Sequence, residues 1–295
     1  MPNRNPVGQL RDLLEQPGCI TMPCCFDALS AKLIEQAGFG ITFMSGFAVS
    51  AARIGEPDTG LMSYGEVVAQ GRDICSAVRI PVIGDGDTGY GNAMNVRRTV
   101  DGFARAGFAS VMIEDQLAPK RCGHTRGKQV VSRGEALDRI RAAVDARDEG
   151  LDILILARTD ARHEHGLGEA IERAQAFHEL GADILFVEAP RSETELRTVG
   201  GALPGPLMAN IVEGGSTPAL PSEVLADIGF KIAAYPLTLL AAAMKAMIEV
   251  LDRMKSDDGR DDLLLDFETL KERVGFERYY ELSERYASSR RGSGS

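Results

Sequence analysis

Several features are scarce in these 295 residues, and each scarcity removes a class of function. No uninterrupted apolar run approaches the length that crosses a bilayer. The opening Met1-Pro-Asn-Arg-Asn-Pro6 has no apolar stretch of the kind that directs secretion, so a cytoplasmic enzyme is expected. The 5 cysteines, at 19, 24, 25, 75 and 122, are an odd number and contain no C-x-x-C pair. That spacing points to a reduced compartment and away from a disulfide framework or a structural zinc site. Basic residues are in deficit: 33 Lys and Arg against 43 Asp and Glu leave a formal charge of −10. A nucleic-acid partner is therefore not expected, because phosphate binding needs a basic face. No G-x-G-x-x-G follows the first strand pattern, which disfavours a dinucleotide-binding open sheet. His163, His165 and His178 show no metal-ligand spacing, and the first two are expected in a solvated loop.

What is present is a repeated cycle. Hydrophobic residues make up 44% of the chain, enough for a sizeable core. Leu10, Leu13 and Leu14 mark a first helix within 6–17. Short β-type runs follow at 20–23, 41–44, 81–85, 110–114, 153–158, 184–188, 207–210 and 231–235. Helical patterns lie between them at 27–37, 64–78, 92–106, 132–149, 167–180, 193–203 and 222–228. Gly38, Gly107, Gly181 and Gly229 each end a helical pattern before a strand, where a left-handed residue is wanted. Parallel strands need helical crossovers, so eight such units predict an α/β fold, a (β/α)8 TIM-type barrel. No composition break marks a second domain. Residues 1–295 are expected as a single barrel domain, with the barrel at about 18–240. A C-terminal helical region at 241–287, with helices at 239–254 and 261–286, and a flexible tail at 288–295 complete it.

The chemistry stands at the strand ends. Asp85, Glu114, Arg158, Glu188, Asn210 and Tyr235 close strands three to eight, and a barrel gathers such ends at its C-terminal mouth, where active sites sit. Asp85 and Asp87, with Glu114 from the next strand, make the hard oxygen-rich set that magnesium favours over zinc or copper. Asp87 also suits an Asx turn, and its expected link to the metal is weaker than that of Asp85 and can run through a water. Arg158 can bind a carboxylate through two parallel hydrogen bonds, or pair with Glu188 or Asp160 at the mouth, and both can hold. Ser45-Gly46-Phe47 offers backbone N–H groups and a hydroxyl to a second anionic end. In Lys120-Arg-Cys-Gly-His124, a thiol lies in a positive field that favours thiolate. Met244, Met247 and Met254 read as core or as an oligomer contact.

Taken together, Asp85-Gly-Asp-Thr-Gly-Tyr-Gly-Asn92, Glu114-Asp-Gln116, Lys120-Arg-Cys-Gly-His124, Ala157-Arg-Thr-Asp160 and Asn210-Ile-Val-Glu-Gly-Gly215 resemble the isocitrate lyase/phosphoenolpyruvate mutase superfamily. The motifs run in the same order from about 17 to 251. The resemblance implies a modified barrel whose C-terminal helix is swapped between subunits in a homotetramer, a dimer of dimers. It also implies Mg2+, with Mn2+ able to replace it. Asp85 is implied as the metal ligand, with Asp87 and Glu114 in or near its shell. Ser45, Gly46 and Arg158 would hold the carboxylate of a small anionic 2-oxo or 2-hydroxy acid, with Phe47, Gly123, Asn210 and Tyr235 around it. Asp58, Glu188, Cys122 and His124 complete the implied catalytic set.

The lyase branch carries this Cys-Gly-His loop, whereas the phosphonate branch usually has Asn-Ser in place of Cys122-Gly123. A carboxyphosphonoenolpyruvate mutase branch shares the loop, so phosphorus–carbon chemistry stays open. The expected activity is carbon–carbon cleavage of a small dicarboxylate, with Cys122 protonating the carbanion. The alternatives are a phosphonate-forming mutase and a catalytically silent oligomeric barrel. Three departures from the methylisocitrate pattern favour a smaller substrate: Phe43 replaces a tyrosine, Gly214 replaces an aromatic residue, and 235–241 lacks the arginine that grips a third carboxylate.

Overall fold

The computed structural model describes residues 5–121 and 127–287. Strands β1 (Ile20–Cys25), β2 (Thr42–Met44), β3 (Val82–Asp85), β4 (Ser110–Glu114), β5 (Leu154–Thr159), β6 (Ile184–Val187), β7 (Leu207–Asn210) and β8 (Phe230–Tyr235) pair in parallel and in sequence order. Pairing of β8 with β1 closes the barrel, so the fold is the expected TIM type. Helices α1 (Pro6–Glu15), α2 (Ala28–Gln36), α3 (Gly46–Ile54), α4 (Tyr64–Ala77), α5 (Ala93–Ala106) and α6 (Arg133–Asp148) belong to its first half. Helices α7 (Arg162–Glu179), α8 (Glu193–Ala202), α9 (Ser222–Ile228), α10 (Thr238–Ser256), α11 (Phe267–Val274) and α12 (Phe276–Tyr286) follow.

Local chemistry starts and stops these helices. Asp27 with Ser30, and Ser63 with Glu66, form reciprocal capping boxes at α2 and α4. Gly107, at φ 98°, ends α5 in the left-handed region before β4.

Alternation along each strand then sorts side chains into two layers. Met22, Phe43, Ile83, Met112, Leu156, Phe186, Met208 and Ile232 point into the lumen, where α1 plugs the lower end with Val7 and Leu10. Their strand neighbours, such as Met44, Val111, Ile155 and Leu185, face the surrounding helices in a second, larger cluster. Burying a side chain of this size stabilises by about 1.5–3 kcal/mol. Two residues beyond the lumen residues, on the same parity, come Asp85, Glu114, Arg158, Glu188 and Asn210. Period two therefore delivers the polar strand ends to the top of the lumen.

Three local expectations need correction. The segment 46–54, left outside any helix pattern, is α3, capped by Ser45. His163 and His165 lie within the helical stretch of α7, which bends at Gly166. The single helix expected at 261–286 is a 3-10 turn at Asp261–Leu263 followed by α11 and α12, because Gly275 adopts φ 104° and interrupts the helical path. The chain forms two compact units, Met1–Leu240 and Ala241–Ser295. The single chain does not show a swapped helix.

Gly84 faces the helices, not the lumen. A Cβ there would lie 2.6 Å from Phe103 and 2.7 Å from Phe108, whose rings stack at 4.8 Å. Gly84→Ala should overpack this contact and cost about 1–3 kcal/mol, read as a lowered urea midpoint.

Candidate active site

The upper lumen encloses a cavity of about 60 Å3, room for a compact acid and not for a dinucleotide. Acids (Asp58, Asp85, Glu114), cations (Lys120, Arg121, Arg158) and the polar Ser45 and Asn210 line it beside Phe43, Phe47 and Phe186.

Asp85 is held by backbone. Its Oδ2 accepts from Gly46 N–H at 3.2 Å and its Oδ1 from Asp87 N–H at 3.0 Å. Gly46 opens α3, so the positive end of that helix faces the carboxylate. A Cβ on Gly46 would lie 2.5 Å from Asp85 Oδ2, so glycine is what lets the helix end come this close.

Lys120 reaches into the same cluster, 2.6 Å from Asp58 Oδ1 and 2.7 Å from Asp87 Oδ1. Burial pushes the Asp87 carboxyl up to about 7, against the opposing pull of Lys120. Burial would lower Lys120, but Asp87, Asp85 and Asp58 outweigh it and hold the ammonium charged well above its ordinary range. Its charge is shared among these acids.

Arg158 sits on the other side. Its Nε and Nη2 donate to Asp160 Oδ2 and Oδ1 at 2.8 and 3.1 Å. Glu114 Oε2 is 3.3 Å from Nε, Glu188 Oε2 is 3.8 Å from Nη2, and the Phe186 ring lies 5.2 Å away. Burial pushes Glu114 well above the carboxylate range, with Arg158 opposing. Among the described residues, Glu114 Oε1 is buried without a hydrogen-bond partner. Asn210 Nδ2 faces Glu188 Oε2 at 3.4 Å.

The structure thus brings together Ser45, Phe47, Asp58, Asp85, Glu114, Arg158 and Asn210, with Glu188 against Arg158. Gly46 and Asp87 line a smaller neighbouring pocket that shares Asp58. Tyr235 does not join the cavity. Its parity turns it outward against the helix-facing cluster, while Ala234 and Pro236 line the wall. Cys122, Gly123 and His124 lie outside the described residues.

Sequence reasoning missed a supporting layer. Asp115 accepts from Thr159 Oγ1 at 2.6 Å, Asp160 N–H at 2.8 Å and Arg173 Nη1 at 3.0 Å. Lys128 Nζ donates to Asp160 Oδ1 at 2.9 Å. Arg139 Nη1 donates to the carbonyl of Gln116 at 2.8 Å. The available signal was parity: an acid following Glu114 must face the helices, where only a buried cation makes it tolerable.

The profile described as phosphoenolpyruvate phosphomutase matches residues 10–255. The chain belongs to this family. Within it, the chain is 41% identical to a 2,3-dimethylmalate lyase of Eubacterium barkeri, over 97% of this chain and 100% of that one. It is also 41% identical to the chloroplastic carboxyvinyl-carboxyphosphonate phosphorylmutase of Arabidopsis thaliana, over 98% of this chain and 88% of that one. A solved oxaloacetate acetylhydrolase, in complex with the inhibitor 3,3-difluorooxalacetate, superposes with a TM-score of 0.90 at 36% identity, covering 95% and 96% of the two chains. The chain is an enzyme of this phosphomutase and lyase superfamily, with named lyases among its relatives.

Burial alone would raise Asp160, but Arg158 and Lys128 together hold it below the usual carboxylate range. A carboxylate depressed in the folded state contributes stability that is complete above its ordinary pKa of about 3.9 and is lost as pH falls below that value. Asp160→Asn should cost about 3–5 kcal/mol at neutral pH, as broken buried pairs do. The gap in urea midpoint between wild type and variant should then narrow from about pH 5 to pH 3.

Proposed function

We propose that this enzyme is a magnesium-dependent carbon–carbon lyase acting on a small 2-hydroxy or 2-oxo dicarboxylate. The observation that carries the reading is the meeting, in one small cavity, of a pinned carboxylate, a pinned guanidinium and a Glu114 oxygen that has no hydrogen-bond partner among the described residues.

The donor set fits magnesium. Asp85, Asp87 and Glu114 offer hard oxygens, and Glu114 Oε1 lacks a donor among the described residues. Among those residues no three ligating side chains converge to hold an ion by themselves. That suits a cation bound through one or two carboxylates, with water and substrate oxygens completing its shell. Manganese shares the preference for oxygen ligands and could replace it. Bound there, the ion supplies Lewis-acid polarisation of the substrate oxygen.

The chain's own residues supply the rest. Arg158, tied to Asp160 through Nε and Nη2, presents its remaining Nη1 to the substrate carboxylate. Ser45 and Asn210 line the cavity as further polar partners, and Glu188 balances the guanidinium. Asp58, held by Lys120, accepts the substrate hydroxyl proton. The oxygen's electron pair forms the carbonyl as the C2–C3 bond breaks, and the bonding pair leaves with C3. Cys122, with Gly123 and His124 beside it in the chain, delivers a proton to that carbanion. Solvent then returns the thiol and Asp58 to their starting states. Beside the polar groups the wall is apolar, formed by Met208, Val212, Pro236 and Leu237. This composition supports a dicarboxylate, since among the described residues the wall past β8 is lined by Pro236 and Leu237.

The 41%-identical phosphorylmutase keeps a second reading alive, phosphorus–carbon chemistry at the same acids and Arg158. For assembly we infer a homotetramer with C-terminal helices exchanged between subunits. Large apolar groups of the C-terminal unit support this: Phe267 is 72% and Tyr286 70% exposed in the single chain. Among the described residues no helix is long and apolar enough to cross a membrane. A cytoplasmic location is part of the same proposal, and the odd, unpaired cysteines suit its reducing conditions.

A panel of 2-hydroxy and 2-oxo acids should release pyruvate, glyoxylate or oxalate with magnesium and nothing once it is chelated. Phosphorus NMR with phosphonopyruvate should show no turnover, and replacement of its phosphonate signal by that of a phosphate ester would favour the second reading.

Cys122 is separately testable. Burial pushes the thiols of Cys25 and Cys19 up to about 12 and about 11, and raises Cys24 as well. Cys75 is buried. Iodoacetamide near neutral pH should therefore mark Cys122 first, and Cys122→Ser should lower turnover about 10²–10⁴-fold. A Ser variant with full turnover removes the proton-donor role.

A further inference from the structure

Lys128 takes no part in the chemistry above, yet its side chain is only 2% exposed and its Nζ lies 2.9 Å from Asp160 Oδ1. We propose that Lys128 is a positioning residue for substrate binding, acting through Asp160 to aim the Arg158 guanidinium at the substrate carboxylate. The proposal rests on the reading of Arg158 as the carboxylate clamp.

One fully buried carboxylate is shared by two cations from different parts of the chain. Asp160 Oδ1 accepts from Lys128 Nζ at 2.9 Å and from Arg158 Nη2 at 3.1 Å, while Oδ2 accepts from Arg158 Nε at 2.8 Å. The backbone of Asp160 is fixed independently, since its N–H donates to Asp115 Oδ1 at 2.8 Å. Asp115 is fixed in turn by Arg173, which also donates to the carbonyl of Val131 at 2.9 Å. With the backbone held, what remains to be set is the rotation of the Asp160 carboxylate, and Lys128 sets it.

Lys128 can do this because its own segment is anchored. Leu117 N–H donates to the carbonyl of Gln129 at 2.8 Å, Gln116 bridges Val130 antiparallel, and Val131 N–H donates to the carbonyl of Asp115 at 2.9 Å.

Charge explains why a lysine is wanted. Arg158 is surrounded by Asp160, Glu114 at 3.3 Å and Glu188 at 3.8 Å. With no other cation on Asp160, that carboxylate would spend its whole charge on Arg158, and the guanidinium would have little attraction left for an incoming anion. Lys128 takes up part of the Asp160 charge. This leaves Arg158 aligned by Asp160 without being neutralised by it.

The test compares wild type, Lys128→Met and Lys128→Arg, each saturated with magnesium, by steady-state kinetics and by calorimetric titration with oxalate. Lys128→Met should raise KM and the oxalate Kd about ten- to hundredfold while kcat changes much less, and Lys128→Arg should restore both. In an Arg158→Lys background, Lys128→Met should add little, because the two residues act through one carboxylate. If Lys128→Met does not fold, Lys128→Gln replaces it with the same expectation. A variant that melts at lower temperature with KM and Kd unchanged, or losses that simply add to those of Arg158→Lys, would overturn the proposal. A wild-type enzyme that does not bind oxalate would overturn the reading of Arg158, and this inference with it; wild-type binding with no effect of Lys128→Met overturns this inference alone.

Discussion

Charges that have left water at the barrel mouth must face one another, and everything distinctive about this chain follows from how they do so. Asp58 and Asp87 share Lys120, Asp160 is shared by Arg158 and Lys128, and Asp115 meets Arg173. Apart from the half-buried Asp58 each partner is buried, so the cost of breaking such a pair is the cost of leaving a partner charged without compensation, several kcal/mol and far more than a surface pair is worth. Such pairs do not make the barrel more stable than an apolar core would. They hold functional groups at fixed angles, the requirement for a site that must treat a substrate and its transition state differently.

The barrel supplies the frame because its lumen has a short period. Successive inward residues step up each strand by two, from packed methyl and phenyl groups to ionisable ones. The apolar layers below are buried, and the acids above them lose solvation without losing their neighbours. This is why Glu114 and Asp87 are raised while Asp160, with two cations on it, is lowered. A helix end assists. Gly46 at the start of α3 approaches Asp85 closely enough to donate its N–H, using the field of the helix where a side chain would have filled the space.

The family's different chemistries can be understood on one such frame. A pinned acid, a buried guanidinium and an apolar outer wall are compatible with breaking either a carbon–carbon or a phosphorus–carbon bond. In this chain Pro236 and Leu237 line the wall past β8 and offer shape without charge.

The strand count, the alternation, and the polar residues at 85, 114, 158, 188 and 210 were legible without coordinates, because period two and helical crossovers are properties of the chain itself. So were the glycines that end helices. Three things were not. The helix at 46–54 is short and is stabilised by its cap and by contact with Asp85, neither of which has a periodic signature. Tyr235 looked like its neighbours at the other strand ends, but its parity in the closed barrel turns it outward. Lys120 reads as one more basic residue in a basic loop, and only folding brings it 2.7 Å from Asp87. Sequence by itself determined which groups would reach the mouth, since that depends on spacing along a strand. The tertiary structure decided which charge answers which, because that depends on distances between segments that no local pattern encodes.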